Sequence, residues 1–446
     1  MKTNKKREEW TSRFGFLMAM AGSAIGLGNI WRFPYITGKY GGAAFVAFYL
    51  LIGLTFGLSI AIGEWAIGRA GRSDSVGSFK KLGGGLWCIP GWIGFVTAFV
   101  ILSYYSVISG WILYYVKYSI SGLFGATQRT DTKEVFTALI TSPKLCVALH
   151  LANMLAILTV TLKGISRGLE RVCKVLMPTL FVILLLLIAR AVTLDGGFEG
   201  LKFYLVPNFQ HFTLDGMLAA TSQAFFSLSV AVGVGITYGS YLRSDEKITH
   251  LAPMVVLCDT LVAFLAGLVI FPACMACGIT PDSGPGLAFV TLPKVFSRLA
   301  FGNLFATAFF TLFFIAAFTS ATSLLEVITA FGMDQMKLSR RAFAITMAIL
   351  VSVLGIPSAL AETPLVPKVF GKGFLDAADF AINAWLVPIT AICICIFVGW
   401  VWVKGAKDEI TNGGAVPFKL YPIWLFICRV IAPIILVILL VTGGKW

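Results

Sequence analysis

Several polar side chains of this chain stand inside long apolar runs, and they are of kinds that can hold a cation or a small polar molecule. Asp259 lies in Val255-Val256-Leu257-Cys258-Asp259-Thr260-Leu261. An acid at bilayer depth costs ~2.5–3.5 kcal/mol on insertion scales, so it either pairs with a neighbouring helix or ligates a cation. Hard monovalent cations favour oxygen ligands of this type. Thr319, Ser320 and Ser323 follow Ala316-Ala317-Phe318, and Thr319 shares a helix face with Ser323 at i, i+4 spacing. Hydroxyls also pack well between membrane helices, so alone they leave both roles open. Glu64, in Ile62-Gly63-Glu64-Trp65, reads as a structural acid. Covalent chemistry finds no support. Ser227 and Ser229 lack a histidine partner at the same depth, and His150, His211 and His250 are far apart in sequence. Cys274-x-x-Cys277 has no second pair to complete a metal site, and no phosphate-binding loop of the Gly-x4-Gly-Lys type occurs.

Two irregular stretches must position these groups. The first is Ala21-Gly22-Ser23-Ala24-Ile25-Gly26-Leu27-Gly28-Asn29-Ile30-Trp31-Arg32-Phe33-Pro34. Each mid-helix glycine costs roughly 0.5–1 kcal/mol relative to alanine, so a helix that only sat in lipid would avoid it. Gly22 and Gly26, four apart, form a face for close helix approach. The same glycines suit a helix interrupted at mid-membrane, where freed main-chain groups hold a ligand or ion. The second stretch runs from Gln223 to Gly235 and again sets serines and glycines in an apolar run. Its serines could instead bond back to their own helix.

The 446 residues are 58% hydrophobic and 13% charged, with a mean hydropathy of +0.88. Soluble chains carry about 25% charged residues, so the composition specifies a polytopic membrane protein. The formal charge of +14 is dispersed between apolar runs and not gathered into a nucleic-acid-binding stripe. The first apolar run, with no cleavage site behind it, is expected to be a retained helix. Eleven runs are long enough to span: 11–36, 42–68, 88–122, 146–163, 168–190, 213–240, 252–276, 302–333, 342–357, 375–403 and 420–441. The segment Pro281 to Arg298 is too polar to span and reads as a structured outer loop. With the N-terminus inside, 21 of 35 Lys and Arg fall on cytoplasmic segments, which supports a cytoplasmic N-terminus and an extracellular C-terminus.

The interrupted stretches open successive sets of five spans, 11–190 and 213–403, followed by a last helix at 420–441. Matching breaks in corresponding halves mark an inverted-repeat transporter with its site at the repeat interface. Arg32 with Asp379, and Arg7 with Asp334, then form one opposite-charge pair per membrane face. Alternating gates would need such pairs, although solvated charges fit the same positions.

Residues 21–34 closely resemble the first-helix signature of the neurotransmitter:sodium symporter family, which has the LeuT-type fold. The resemblance continues through Ile62-Gly63-Glu64-Trp65, Tyr104-Tyr105-Ser106, Gln223 to Gly233, Thr237-Tyr238-Gly239-Ser240-Tyr241, Thr291-Leu292-Pro293 and Ala316 to Ser320, and it covers essentially the whole chain. It implies an all-α, 5+5 inverted-repeat membrane domain of eleven helices, with helices 1 and 6 broken, in the cell membrane. It also implies two Na+ sites. The first would use Ala24, Asn29, Ser227 and Asp259, and the second Gly22, Ile25, Ala316, Thr319 and Ser320. Main-chain groups around Ala24, Gly26 and Gly28 would take an amino-acid substrate, with the Tyr105 hydroxyl on its carboxylate and Phe226 as a lid. Ile101, Ile108, Ser229, Val232, Ser320 and Leu324 would line the side-chain pocket. Arg32 and Asp379 would gate the outside; Arg7 and Asp334, with Tyr241 nearby, would gate the inside. Gly168 and Pro178 bracket nine residues, like the family's hinge at the inner end of helix 5.

Where chloride-dependent relatives carry a serine on helix 7, this chain has Ala263, so Asp259 is expected to supply the negative charge and make transport chloride-independent. Val232 is smaller than the phenylalanine of some leucine-binding relatives, and Ala231 replaces a glycine. The wider wall points to a larger hydrophobic or aromatic substrate. Proton coupling through Asp259 is the alternative within transporters, and a channel the alternative outside them. A channel would want a continuous polar lining, whereas here the polar groups gather at two breaks and two ends.

Overall fold

The computed structural model describes residues 7–124, 131–209, 212–279 and 286–442. The first apolar run folds as two helices, α1 (Arg13–Ala24) and α2 (Gly28–Lys39), bent 54° at their junction. Then follow α3 (Ala43–Gly71), α4 (Gly85–Ile120), α5 (Pro143–Thr161) and α6 (Ile165–Ala191). The sixth run is also split, into α7 (Leu214–Ser227) and α8 (Val234–Gly239). The remaining long helices are α9 (Ile248–Ala276), α10 (Gly302–Asp334), α11 (Arg340–Ala359), α12 (Phe374–Val401) and α13 (Tyr421–Thr442). Among the described residues nine helices are long and apolar enough to span, ten with the bent pair counted as one. The expected eleventh, the α7–α8 run, is cut into pieces too short to qualify.

Local chemistry explains the boundaries. Ser12 caps α1 by accepting from the Gly15 N–H at 3.0 Å. The helix ends where Ile25 turns extended (φ −69, ψ 104) ahead of Gly26. In the second break Ser229, Ala231 and Gly233 all take positive φ (50, 65 and 80). For Ser229 and Ala231 this left-handed conformation costs roughly 1–2 kcal/mol each, which neighbouring contacts must offset.

Shorter helices connect the spans. Ser75–Gly83 is capped by Asp74, and Leu287–Thr291 continuing into Leu292–Arg298 gives the expected outer segment its structure. Residues 281–285 of that segment lie outside the described residues. The bundle has a centre and a rim: 61% of the most apolar window of α9 and of α10 is buried, against 28% for α6 and α13. On the rim, Val182, Leu185, Leu186, Ile434 and Val437 are exposed, as lipid-facing side chains should be.

Candidate functional site

Breaking a helix in an apolar interior frees main-chain donors and acceptors that must find partners. At the first break the Gly26 N–H donates to Asn29 Oδ1 (3.0 Å) and the Leu27 N–H to the Tyr105 hydroxyl (3.0 Å). The freed carbonyls turn toward α10. Ser320 Oγ lies 2.8 Å from the Ser23 carbonyl, 3.2 Å from that of Ile25 and 3.4 Å from that of Gly22. Ser229 Oγ reaches the same Ser23 carbonyl from the second break at 3.0 Å. There the Ala231 N–H donates to Glu64 Oε1 at 3.1 Å, so the buried acid of α3 does the structural work its sequence context suggested.

Two oxygen clusters flank the breaks. In one, Asn29 Nδ2 donates to Asp259 Oδ1 (2.8 Å) and to Ser227 Oγ (3.0 Å), and Ser227 donates to Asp259 Oδ2 (2.9 Å). Tyr49 of α3 joins them, its hydroxyl 3.2 Å from Ser227 Oγ and 3.4 Å from Asp259 Oδ2. In the other, Thr319 Oγ1 lies 2.9 Å from the Ile315 carbonyl and 3.2 Å from that of Ala316. A Cβ placed on Gly22 would fall 3.2 Å from Thr319 Cβ, 3.3 Å from Met177 Sδ and 3.4 Å from Cys173 Sγ. Only glycine lets α1, α6 and α10 meet this closely. The oxygens of both clusters suit a hard monovalent cation, and only the first contains a carboxylate; there Asn29 turns its amide nitrogen toward Asp259 and Ser227, its Oδ1 being held by the Gly26 N–H.

Between the clusters lies a small cavity of about 40 Å³. Its walls include Ala24, Gly26, Gly28, Ile101, Tyr105, Phe226, Ser227, Ser229, Val232, Ser320 and Leu324. Ile108 is the exception among the expected lining residues: it faces a larger cavity of about 410 Å³ toward the outer end. Helical spacing explains this, since Ile108 sits nearly one turn further out along α4 than Tyr105, which borders both spaces. Phe226 separates the cavities, and Gly28 makes room for it: a Cβ there would stand 3.0 Å from the ring.

Arg32 and Asp379 both line the outer cavity, but they are not ion-paired in this conformation. The Arg32 guanidinium lies 5.0 Å over the Phe226 ring. Asp379 instead accepts from Tyr104 Oη and from Asn383 Nδ2, both at 2.9 Å. The opposite end, which carries the start of the chain and is called inner here, is shut. Arg7 pairs with Asp334 at 2.6 Å, donates to Ser240 Oγ at 2.7 Å and lies 4.6 Å over the Tyr241 ring. Asp334 also accepts from the Asp74 N–H at 2.7 Å. Burial, reinforced by neighbouring Asp334, pushes the Asp74 carboxyl up to about 6, against hydrogen bonds from Gln335, Gly77 and Val76 that pull it down.

At the inner end of α6, the π-helical turn Ile165–Glu170 precedes Pro178. Gly168 sits against the Val160 carbonyl, where any Cβ would clash. Glu170 accepts from the Thr11 N–H (2.9 Å) and pairs with Lys174 (2.6 Å), holding the start of α1 against α6.

Sequence reasoning missed Tyr49, Glu170, Ser23, Phe225, Val230 and Val387. Tyr49 left only a weak signal, one of three hydroxyls (with Thr55 and Ser59) in the apolar run 42–68. The apolar cavity residues left none, because a wall valine and a core valine look alike in sequence.

Comparison with known proteins adds independent findings. A family model described as the sodium:neurotransmitter symporter family matches residues 7–134 and 137–444. An uncharacterized sodium-dependent transporter of Bacillus subtilis (strain 168) is 38% identical over 443 residues, covering 98% of this chain and 97% of that one. A sodium-dependent nutrient amino acid transporter of Drosophila grimshawi is 27% identical over 98% of this chain and 76% of its own length. Among solved structures, that of MhsT in complex with L-phenylalanine superposes with a TM-score of 0.89 at 40% identity, covering 98% of this chain and all of the other.

Proposed function

We propose that this chain, which belongs to the sodium:neurotransmitter symporter family, takes up a neutral hydrophobic or aromatic amino acid by alternating access, with two sodium ions as co-substrates and no need of chloride. It is a sodium-dependent, multi-pass membrane transporter of LeuT-type fold, not an enzyme. The observation that carries the finer reading is one juxtaposition. A small cavity is walled by residues of two helix breaks and flanked by two oxygen-rich clusters.

In this reading the Ala24 carbonyl, Asn29, Ser227 and Asp259 hold one sodium beside the substrate carboxylate. The carbonyls of Gly22, Ile25 and Ala316, with the Thr319 and Ser320 hydroxyls, hold the other. Asp259 brings a fixed negative charge to the first cluster, which is the argument for chloride independence. Tyr105 orients the substrate carboxylate, Gly26 and Gly28 expose main chain to it, and Phe226 closes above it. Ile101, Val232 and Leu324 shape the side-chain space, while Ser227, Ser229 and Ser320 supply its polar edge. Ile108 acts one layer further out, on the entry path. Arg32 and Asp379 meet only when the outer cavity closes, and Arg7 releases Asp334 when the inner end opens. Helices α1–α6 and α7–α12 form the two repeats, with the N-terminus cytoplasmic and α13 leading to an extracellular C-terminus. The L-phenylalanine bound by MhsT supports the substrate class.

The test is uptake into proteoliposomes across the twenty amino acids, under imposed sodium gradients. Saturable, sodium-driven uptake of hydrophobic or aromatic amino acids, unchanged when gluconate replaces chloride, is the expected result. Uptake driven by a pH gradient without sodium would favour proton coupling through Asp259. Single-channel currents would defeat the transporter mechanism altogether.

A further inference from the structure

Outside the two oxygen clusters, the molecule buries another polar assembly that transport as described does not use. It joins α4, α5 and α11. His150 of α5 is fully buried, its Nδ1 lies 2.6 Å from Ser106 Oγ, and its Nε2 lies 3.0 Å from the Ser352 carbonyl of α11. A carbonyl can only accept, so Nε2 carries the proton and Nδ1 accepts from the Ser106 hydroxyl. One turn on, Asn153 Nδ2 donates to the Ser106 carbonyl and Asn153 Oδ1 accepts from Ser109 Oγ, both at 3.3 Å. Gly355 of α11 leaves the space for the imidazole: a Cβ there would fall 2.5 Å from His150 Cε1.

Ser106 and Ser109 repeat at i, i+3 on α4. Ile101, Tyr105 and Ile108 occupy a neighbouring stripe of the same helix, and Ile101 and Tyr105 look into the central cavity. Apolar packing alone restrains a helix weakly against rotation about its axis. Directional hydrogen bonds in a low-dielectric interior do so much better, because leaving either partner unpaired there is costly.

We propose that His150, assisted by Asn153, is a positioning residue for substrate recognition. By gripping Ser106, while Asn153 holds Ser109, it sets the rotation of α4, and with it the reach of the Tyr105 hydroxyl into the cavity. This inference rests on the reading of Tyr105 as a contact of the substrate carboxylate. The geometry makes Tyr105 sensitive to such control. Its hydroxyl already holds the Leu27 N–H at 3.0 Å, and the missing side chain of Gly26 leaves only 2.6 Å between an added Cβ and that oxygen.

A double-mutant cycle on the purified full-length protein tests it, with L-phenylalanine binding measured at saturating sodium. His150→Leu should weaken binding about tenfold, the scale of one buried hydrogen bond. His150→Asn, whose amide oxygen takes the place of Nδ1 opposite Ser106, should recover most of the loss. In a Tyr105→Phe background, His150→Leu should have little further effect, because it acts through the hydroxyl already removed. An equal loss in both backgrounds, or no rescue by asparagine, overturns the positioning role while leaving the site reading intact. Unchanged binding by Tyr105→Phe alone would sink the site reading and this inference with it. If His150→Leu does not reach the membrane folded, Asn153→Leu enters the same cycle, with thermal stability without substrate as its control.

Discussion

Asp259 shows how one residue type is interpreted by its neighbours. From sequence it was an acid in an apolar run, open to structural pairing or cation binding. In the fold no basic group pairs with it among the described residues; Asn29, Ser227 and Tyr49 converge on it from three helices. An acid surrounded by neutral hydroxyl and amide groups is held by hydrogen bonds and not by a fixed salt bridge, which supports the proposed sodium site. Asp74, outside the membrane-spanning helices, behaves differently. Its carboxyl is pushed from 3.8 up to about 6 while the inner end is shut. A raised carboxyl pKa means that the shut arrangement holds its proton more tightly than an open, solvated one. The proton's contribution to closure is complete below a pH of about 4 and is lost as the pH rises through about 6. Titration of Asp74 is read against Arg7, Asp334 and Gln335, which face it from the N-terminal segment and from α10 with its C-cap. Acidifying the side onto which this inner end opens, cytoplasmic in the proposed orientation, from 7 to 5.5 should therefore slow exchange of labelled substrate, and Asp74→Asn should flatten that dependence. An unaltered pH profile in Asp74→Asn would count against it.

The breaks were legible at the scale of elements because their residues violate helix propensity in places where lipid gives no compensation. The glycines marked the stretches without deciding between packing and interruption; in the fold Gly26 and Gly233 sit at the breaks, whereas Gly22 stays within α1 and packs against α6 and α10. The partners of the breaks were not legible: Glu64 under Ala231, or Ser320 across from the Ser23 carbonyl, depend on which helices lie side by side. The same division holds on α6. Gly168 and Pro178 were visible as a weak segment, whereas Glu170 emerged only once Thr11 and Lys174 stood around it. Pro178 leaves the Lys174 carbonyl without its helical donor, so the inner turns of α6 unwind at little cost. In Pro178→Ala that hydrogen bond is restored. Turnover in proteoliposomes should fall several-fold with substrate affinity nearly unchanged, in line with roughly 1 kcal/mol for one backbone bond. Equal turnover and equal rates of sodium release in the variant would remove α6 from the release path.

Taken as a whole, the molecule is shut at the end that carries the start of the chain and has its large cavity at the other end, which in the proposed orientation is the arrangement of a transporter awaiting substrate from outside. Arg7 is the centre of the inner closure, since it engages Asp334, Ser240 and Tyr241 together. Arg7→Ala should shift the population toward inner opening by about tenfold, as expected for losing ~1–2 kcal/mol of partly buried, charge-assisted contacts. Cys173, buried beside Gly22, offers the readout: kept as the single cysteine, it should react faster with a membrane-impermeant thiol reagent applied from the inner side, cytoplasmic in the proposed orientation. An unchanged labelling rate would place the closure elsewhere. The order of spans, the polytopic membrane class and the family were determined by the sequence alone. Hydrophobic run length, helix-breaking residues and a continuous motif are properties of neighbours in the chain. Tertiary structure alone decided that Asp259 meets Tyr49, that Ile108 belongs to the entry cavity, that Asp379 rests on Tyr104 while Arg32 covers Phe226, and that His150 grips α4. Each of these pairs is separated by tens to hundreds of residues or depends on helix rotation. A linear pattern carries no record of which faces the packed helices turn toward one another.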